Sequence, residues 1–537
     1  MITYRHVTTF GVTQHRWLSK VTDLAVVESG GSYVLVAVTH FGGGITSYQI
    51  TDPDKPLQQL RNRAYLDDFT YQGAPEVSLV TLGGRTMLHL GQLGGAATRG
   101  VTLRLDNGAM PQFETLFRAG LPPGTITALE QVSTRQGDFI LSARADDLTL
   151  SVHRMAADGS LTQRSSITIP TPAGAAQNAS IDKLVSVVVD GQVVVVAISG
   201  NGNFVSTHLL SNNGYLGPGA VHVAAQGLGY DQPSGVAVVQ FGGQTFVIVA
   251  GGGSSSLSVF RLDAQGRLTG TDHIIDELTT RFQSATVLET VVVDGRAFVF
   301  VGGADDGITV FTLLPDGRLL HLETIVDSDS TTLADVSALQ AVVVDGRIML
   351  FVTSATETGI TQFVFDPGRI GATAMANGGI QRGGSNNDML VARPGTTRLD
   401  GGAGNDILVA GASPITLTGG AGADIFVASR VKGRITITDY EPGIDRLDLS
   451  MLGNVRSIWQ LRFIPTSYGV MIIYGETILD IHTRNGRSLS IADFSNAMLF
   501  PIAHYLLPEV DPTRIRPEDT PSDAPEWVFG TEQADQI

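Results

Sequence analysis

The residues with the most chemistry per position lie between Gly383 and Val427. GGSNNDMLV begins at Gly383, GGAGNDILV at Gly401 and GGAGADIFV at Gly419, a repeat of 18 residues. Each copy places one Asp behind a glycine-rich turn, at Asp388, Asp406 and Asp424. A hard carboxylate beside a turn rich in backbone carbonyls is the all-oxygen donor set that calcium takes. Glycine permits the tight turn, with φ > 0, where a side chain would clash. The pattern is the nonapeptide G-G-x-G-x-D-x-U-x of calcium-binding parallel β-rolls.

In such a roll two nine-residue half-turns make one turn, so a repeat of 18 stacks all three motifs on one side. The intervening half-turns, ARPGTTRLD (392–400) and AGASPITLT (410–418), lack the Gly–Asp pattern. Calcium is therefore expected on one face only, with one ion between the Asp388 and Asp406 turns and a second between those of Asp406 and Asp424. The candidate ligating positions are Gly384, Asn386 and Asp388 in the first copy. In the second they are Gly401, Gly402, Ala403, Gly404 and Asp406, and in the third Gly419, Ala421 and Asp424. Asn386 stands where the motif has Gly, which weakens the first turn without removing its Asp. The alternative is a flexible Gly/Asp-rich linker, which accounts neither for the repeat nor for the apolar residue two places after each Asp.

These turns need strands to position them. Met389 and Leu390, Ile407 and Leu408, and Ile425 and Phe426 read as short strands whose inward side chains fill the roll. A linker of small residues is expected over 371–382, then the roll over 383–434. The following stretch, ITITDYEPGIDRLDLS (435–450), resembles the segment after the calcium repeats of serralysin-type C-terminal domains and other type I secretion substrates. That resemblance implies that Asp439 and Asp445 cap the roll with a third ion; a solvated acidic turn is the alternative. Strand-like runs at WQLRFIP, YGVMIIYG, ETILDIHT and SLSIADF suggest a small β-sandwich over 435–507.

Residues 1–370 carry a second, longer repeat. Short β-runs break at Gly31, Gly84, Gly137, Gly191, Gly243, Gly295 and Gly346, at intervals of 53, 53, 54, 52, 52 and 51. Each unit reads strand, GG or DG turn, strand, loop, strand, turn, strand, the signal of paired hairpins. Four strands per unit at a period near 50 means propeller blades, and seven marks mean seven blades. The last unit lacks a fourth strand, and ITYRHVTTF at the N-terminus is expected to supply it, leaving no open sheet edge. The runs ITVF…PDGRL (308–319) and LSVFRLDAQGRL (257–268) resemble the lactonase-like propeller family. The predicted fold is all-β: a seven-bladed β-propeller, a short parallel β-roll and a small β-sandwich.

The loops joining second to third strands are Gly- and Ser-rich and hold few reactive groups. Asp146, Asp147, Asp305 and Asp306 are their carboxylate pairs, and His40 stands alone. A metal-dependent hydrolase needs several carboxylates or imidazoles converging at one point. No G-x-S-x-G elbow, H-E-x-x-H helix or phosphate-binding glycine loop is present. His153 and His208 fall in third strands and read as core or surface positions. No catalytic residue is assigned.

The 537 residues include 63 Gly, 22 Pro and no Cys, with 43 % hydrophobic, 7 % aromatic and 16 % charged residues. This is a β-rich globular composition. A net charge of −17 argues against nucleic acid and anionic membranes as partners and suits a chain that meets divalent cations. Without cysteine there is neither disulfide nor thiol chemistry. The N-terminus has no apolar core of a signal peptide, and no run is long enough to be a transmembrane segment.

Calcium repeats without such a leader or cysteines resemble the RTX (hemolysin-type calcium-binding repeat) proteins. That resemblance implies export by type I secretion machinery to an extracellular or cell-surface location. Residues 508–537 read as a Pro- and acid-rich spacer, and the closing GTEQADQI resembles the opening of another repeat array. A longer polypeptide is therefore expected, a natural stop being the alternative.

The function these features point to is a secreted protein whose roll folds on binding Ca2+. Its propeller would be a rigid module for a glycan or protein ligand. The two rival readings are a lactonase-like hydrolase acting at the propeller channel and a structural surface-layer or filament component.

Overall fold

A computed structural model describes residues 2–11, 16–29, 31–40, 43–118, 120–121, 124–172, 175–217, 219–224 and 229–505. The spacer and the terminal GTEQADQI lie outside the described residues. The regular structure described is almost all strand; the α-helix found among these residues is the single turn Asn496–Leu499. No described helix is long and apolar enough to cross a membrane.

Seven four-stranded antiparallel sheets form the propeller. Their innermost strands, Val21–Ser29, Thr70–Leu82, Ile126–Thr134, Lys183–Val189, Pro233–Phe241, Val287–Val293 and Val336–Val344, contact one another in sequence around a ring. Six of the seven marker glycines sit in the turn after these strands, and Gly137 opens the strand that follows its turn; all seven have positive φ. That conformation is cheap only for glycine, so the blade period is written in one residue type. In the seventh blade the outer strand is Thr3–Phe10, antiparallel to Ile360–Asp366. Second and third strands are buried on both faces, as Gln192–Ser199 and Arg296–Gly302 are, because each blade packs between two others.

The roll follows without a spacer. The segment expected as a linker instead supplies its first turn: Ile370–Met375 pairs in parallel with Asn387–Val391, and Gly379–Arg382 with Thr396–Ala403. An end turn needs strand pairing on one side only, so these strands form without the glycine–aspartate signature. Two parallel sheets result. The shorter runs Ile370–Met375, Asn387–Val391, Ile407–Val409, Ile425–Val427, Arg446–Asp448. The longer runs Gly379–Arg382, Thr396–Ala403, Ile415–Ala421, Gly433–Tyr440, and Thr477–Thr483 then joins it in parallel. Gly469–Tyr474 and Arg462–Thr466 extend that same sheet antiparallel. The strands after the roll thus continue one of its faces, and Leu390, Leu399, Leu408, Leu417, Phe426 and Ile437 share one core with Leu479 and Ile481.

The shorter sheet is buried on both sides. Its outward residues Met389, Val391, Ile407, Val409, Ile425 and Val427 pack on Leu314 and Leu320 of the sixth blade. Further along, His504 pairs with Asp272 at 2.8 Å, and the amide of Tyr505 donates to the His273 carbonyl. The propeller and the roll are joined at both ends of the roll.

Candidate metal centre

The aspartates of the three motifs stack one per turn on one side of the roll, and a fourth joins them. Asp388 donates its amide to Asp406 Oδ1 at 2.7 Å, Asp406 to Asp424 Oδ1 at 2.8 Å, and Asp424 to Asp445 Oδ1 at 2.9 Å. At the near end Asp388 accepts from the amides of Ala372 and Gly384 at 2.5 and 2.6 Å. At the far end Asp445 Oδ2 accepts from Glu441, and Asp439 accepts from Gly419 and Gly420 at 3.0 and 2.8 Å. The structure therefore brings Asp388, Asp406, Asp424 and Asp445 into one column. Asp439 is placed on the third turn, beside its glycine pair.

The glycines make room for this column. A Cβ on Gly401 would lie 2.2 Å from Asp406 Oδ2, and one on Gly419 would lie 2.2 Å from Asp424 Oδ2. The second glycine of each pair supplies the turn, with φ 105° at Gly402 and 103° at Gly420. Above those two positions the carbonyls of Gly384 and Gly402 crowd the space that a side chain would need. Ala403 and Ala421 face each other in register between successive turns, and Gly404 donates to the Ala421 carbonyl at 2.8 Å. In the first copy neither Gly384 nor Asn386 adopts positive φ, so this turn runs differently from the other two.

Asp388, Asp406 and Asp424 are at most 3 % exposed, and Asp406 Oδ2 is buried with no hydrogen-bond partner. Burial, with mutual repulsion added, pushes Asp406 up to about 7 and Asp424 and Asp445 up to about 6. An ionised carboxylate oxygen buried without a donor is costly unless a cation meets it. The donor set fits a hard divalent cation: one carboxylate per turn, turn carbonyls beside it, and no sulfur or imidazole. Among the described residues no three acidic or imidazole side chains gather at one point, so an ion between turns would draw further oxygens from the backbone.

Residues 380–480 match the family model "Peptidase M10 serralysin C terminal". The matched segment thus begins inside the first turn of the roll and ends within the strand Thr477–Thr483. No curated protein matches the chain. Among solved structures, a candidate 6-phosphogluconolactonase from Bacteroides fragilis is similar at 12 % identity and a TM-score of 0.40, covering 62 % of this chain and 95 % of that one. A Lactobacillus plantarum protein has 17 % identity and a TM-score of 0.32, covering 64 % and 87 %.

The propeller's polar residues are elsewhere than the loops suggest. Asp147 pairs with Arg144 at 3.0 Å and caps Thr149, Asp305 accepts from the Gln283 amide, and Asp306 accepts from that of Asp335. These are turn-forming roles. His153 is fully buried, and His208 hydrogen-bonds Ser206. The charged groups missed by inspecting loops are on innermost strands or, for Asp182, just before one, around a cavity of about 380 Å³ lined by Asp23, Glu76, Glu130, Asp182 and Lys183. Lys183 reaches past the third blade to Glu76 at 3.0 Å. Burial, with Glu76 beside it, pushes Asp23 up to about 7. A charged residue at the inward end of a first strand was the available signal.

Proposed function

We propose that this chain is a secreted, RTX-type calcium-binding protein whose roll is completed by Ca2+ outside the cell. The observation that carries the reading is the buried aspartate column with its orphaned Asp406 oxygen, held in a segment that matches the serralysin C-terminal family. In calcium-poor cytosol, ionised Asp406, Asp424 and Asp445 repel one another and oppose closure of the turns. Outside, calcium neutralises them, and its binding energy becomes folding energy. The candidate ligands are Asp388, Asp406 and Asp424 with the carbonyls of their glycine turns; Asp439 and Asp445 are candidates at the far end. Export by type I secretion machinery follows from the same resemblance. The propeller is then a rigid module that presents a glycan- or protein-binding face.

Calcium titration of the full chain, followed by calorimetry and by amide exchange over 396–448, tests this. Two to three bound ions and slowed exchange in the roll are expected; exchange in this region that is indifferent to chelator and calcium alike would sink the proposal.

A further inference from the structure

Arg296 opens the second strand of the sixth blade, directly after the turn Asp294–Gly295. The same VDGR sequence recurs in the seventh blade, where Arg347 lies near the surface and pairs with Asp54 at 2.9 Å. Arg296 is only 5 % exposed, because the roll covers it. One terminal nitrogen donates to the carbonyl of Asn387 at 2.8 Å, the residue just before Asp388. Its Nε has no acceptor. The space around it, lined by Phe298, Pro367, Asn387 and Ile407, measures about 20 Å³, roughly one water molecule. Burial draws the guanidinium down to about 10, opposed by the charges of Asp388 and Asp406. A buried guanidinium is costly unless an anion compensates it, and the anions that act on this one belong to the roll.

We propose that Arg296 is the resident cation of the roll's first two turns. In the calcium-free chain it compensates Asp388 and Asp406 and holds the strand Asn387–Val391 on the propeller. This end of the roll is then ordered before calcium arrives, and the ordering effect of calcium falls on the turns of Asp424 and Asp445. The cations near that far end are differently placed: Arg484 is partly exposed, paired first with Glu441 at 2.6 Å and acted on only secondarily by Asp439 and Asp445, and Arg446 lies 3.5 Å from Asp448 and donates to the His321 carbonyl. The division of labour rests on the calcium reading of the roll, whereas the role of Arg296 in the calcium-free chain does not.

The test is amide exchange of the full-length protein in chelator, comparing wild type, Arg296→Met and the double variant Arg296→Met/Asp406→Asn. Asp406→Asn keeps the Oδ1 that accepts from Asp388 and removes the charge at the unpartnered oxygen. Wild type should protect residues 387–391 in chelator. Arg296→Met should lose this protection by about tenfold or more, and the double variant should regain most of it, with Gly137–Arg144 unchanged as a control on the propeller. Adding calcium to Arg296→Met should restore protection. An unprotected wild type, an Arg296→Met equal to wild type, or a double variant as labile as the single one would each overturn the assignment, the last by indicating packing rather than charge. Calcium that leaves the far turns unchanged in every variant would refute the calcium reading, while the chelator comparison still decides the role of Arg296.

Discussion

Asp406 has one oxygen that accepts from the amide of Asp388 and one with no hydrogen-bond donor, Arg296 acting on it only through its charge. Such a group accepts either a proton or a metal, and pH decides which. Its carboxyl is raised from 3.8 to about 7, and those of Asp424 and Asp445 from 3.8 to about 6. In the unfolded chain all three ionise near pH 4. Between about pH 4 and 7 the folded roll therefore keeps protons that the unfolded chain has released. Their contribution to stability is fully present below about pH 4 and is lost as pH climbs to about 7. In chelator the melting temperature of the roll should fall across that window, and Asp406→Asn should flatten the fall. With calcium the trend reverses, since the metal needs the ionised form. A melting temperature equal at pH 4.5 and 7.5 in chelator, for wild type, would contradict this account. The sequence exposed the column because one residue type recurs at one spacing. It attributed both glycines of each pair to the turn, whereas Gly401 and Gly419 are required for the space that a carboxylate fills.

At the scale of elements, the strands MLV, ILV and IFV are apolar at all three positions, not at alternate ones. That is the pattern of a strand covered on both faces, and it was legible; the partner that covers the second face, Leu314 and Leu320 of the sixth blade, was not. The roll is consequently no independent module. Leu320 is fully buried in this contact, and Leu320→Ala should cost about 2–5 kcal/mol of docking stability. Limited proteolysis in chelator should then cut within 376–396 faster than in wild type, with the propeller core resistant. Unchanged cleavage would mean that the interface adds no stability. Pairing also explains why the linker reading failed: nothing in ATAM or GIQR marks it as a strand until the next turn of the roll lies beside it, with Met375 reaching the propeller contact.

The molecule as a whole joins a ring with its own core to a roll built around a charged column. Calorimetry in chelator should resolve a lower transition from the roll and a higher one from the propeller. Saturating calcium should raise the lower one by about 10 °C or more, since each site at a hundredfold excess over its Kd adds about 2.7 kcal/mol. It should leave the upper one nearly unmoved, and equal shifts in both would show that the two halves unfold as one. Seven blades were countable because glycine marks each first hairpin. The charged lining of the channel was not, because Asp23, Glu76 and Lys183 are brought together by closure of the ring and lie far apart along the chain.

Ring closure also sets a schedule. Thr3 pairs with Asp366, 363 residues downstream. At about 5–20 residues per second of synthesis, the first strand waits roughly 20–70 s for the partner that completes its blade. By the end of that interval the first six blades have all their strands, but the ring stays open, and its last blade is completed only after residue 366 has been made.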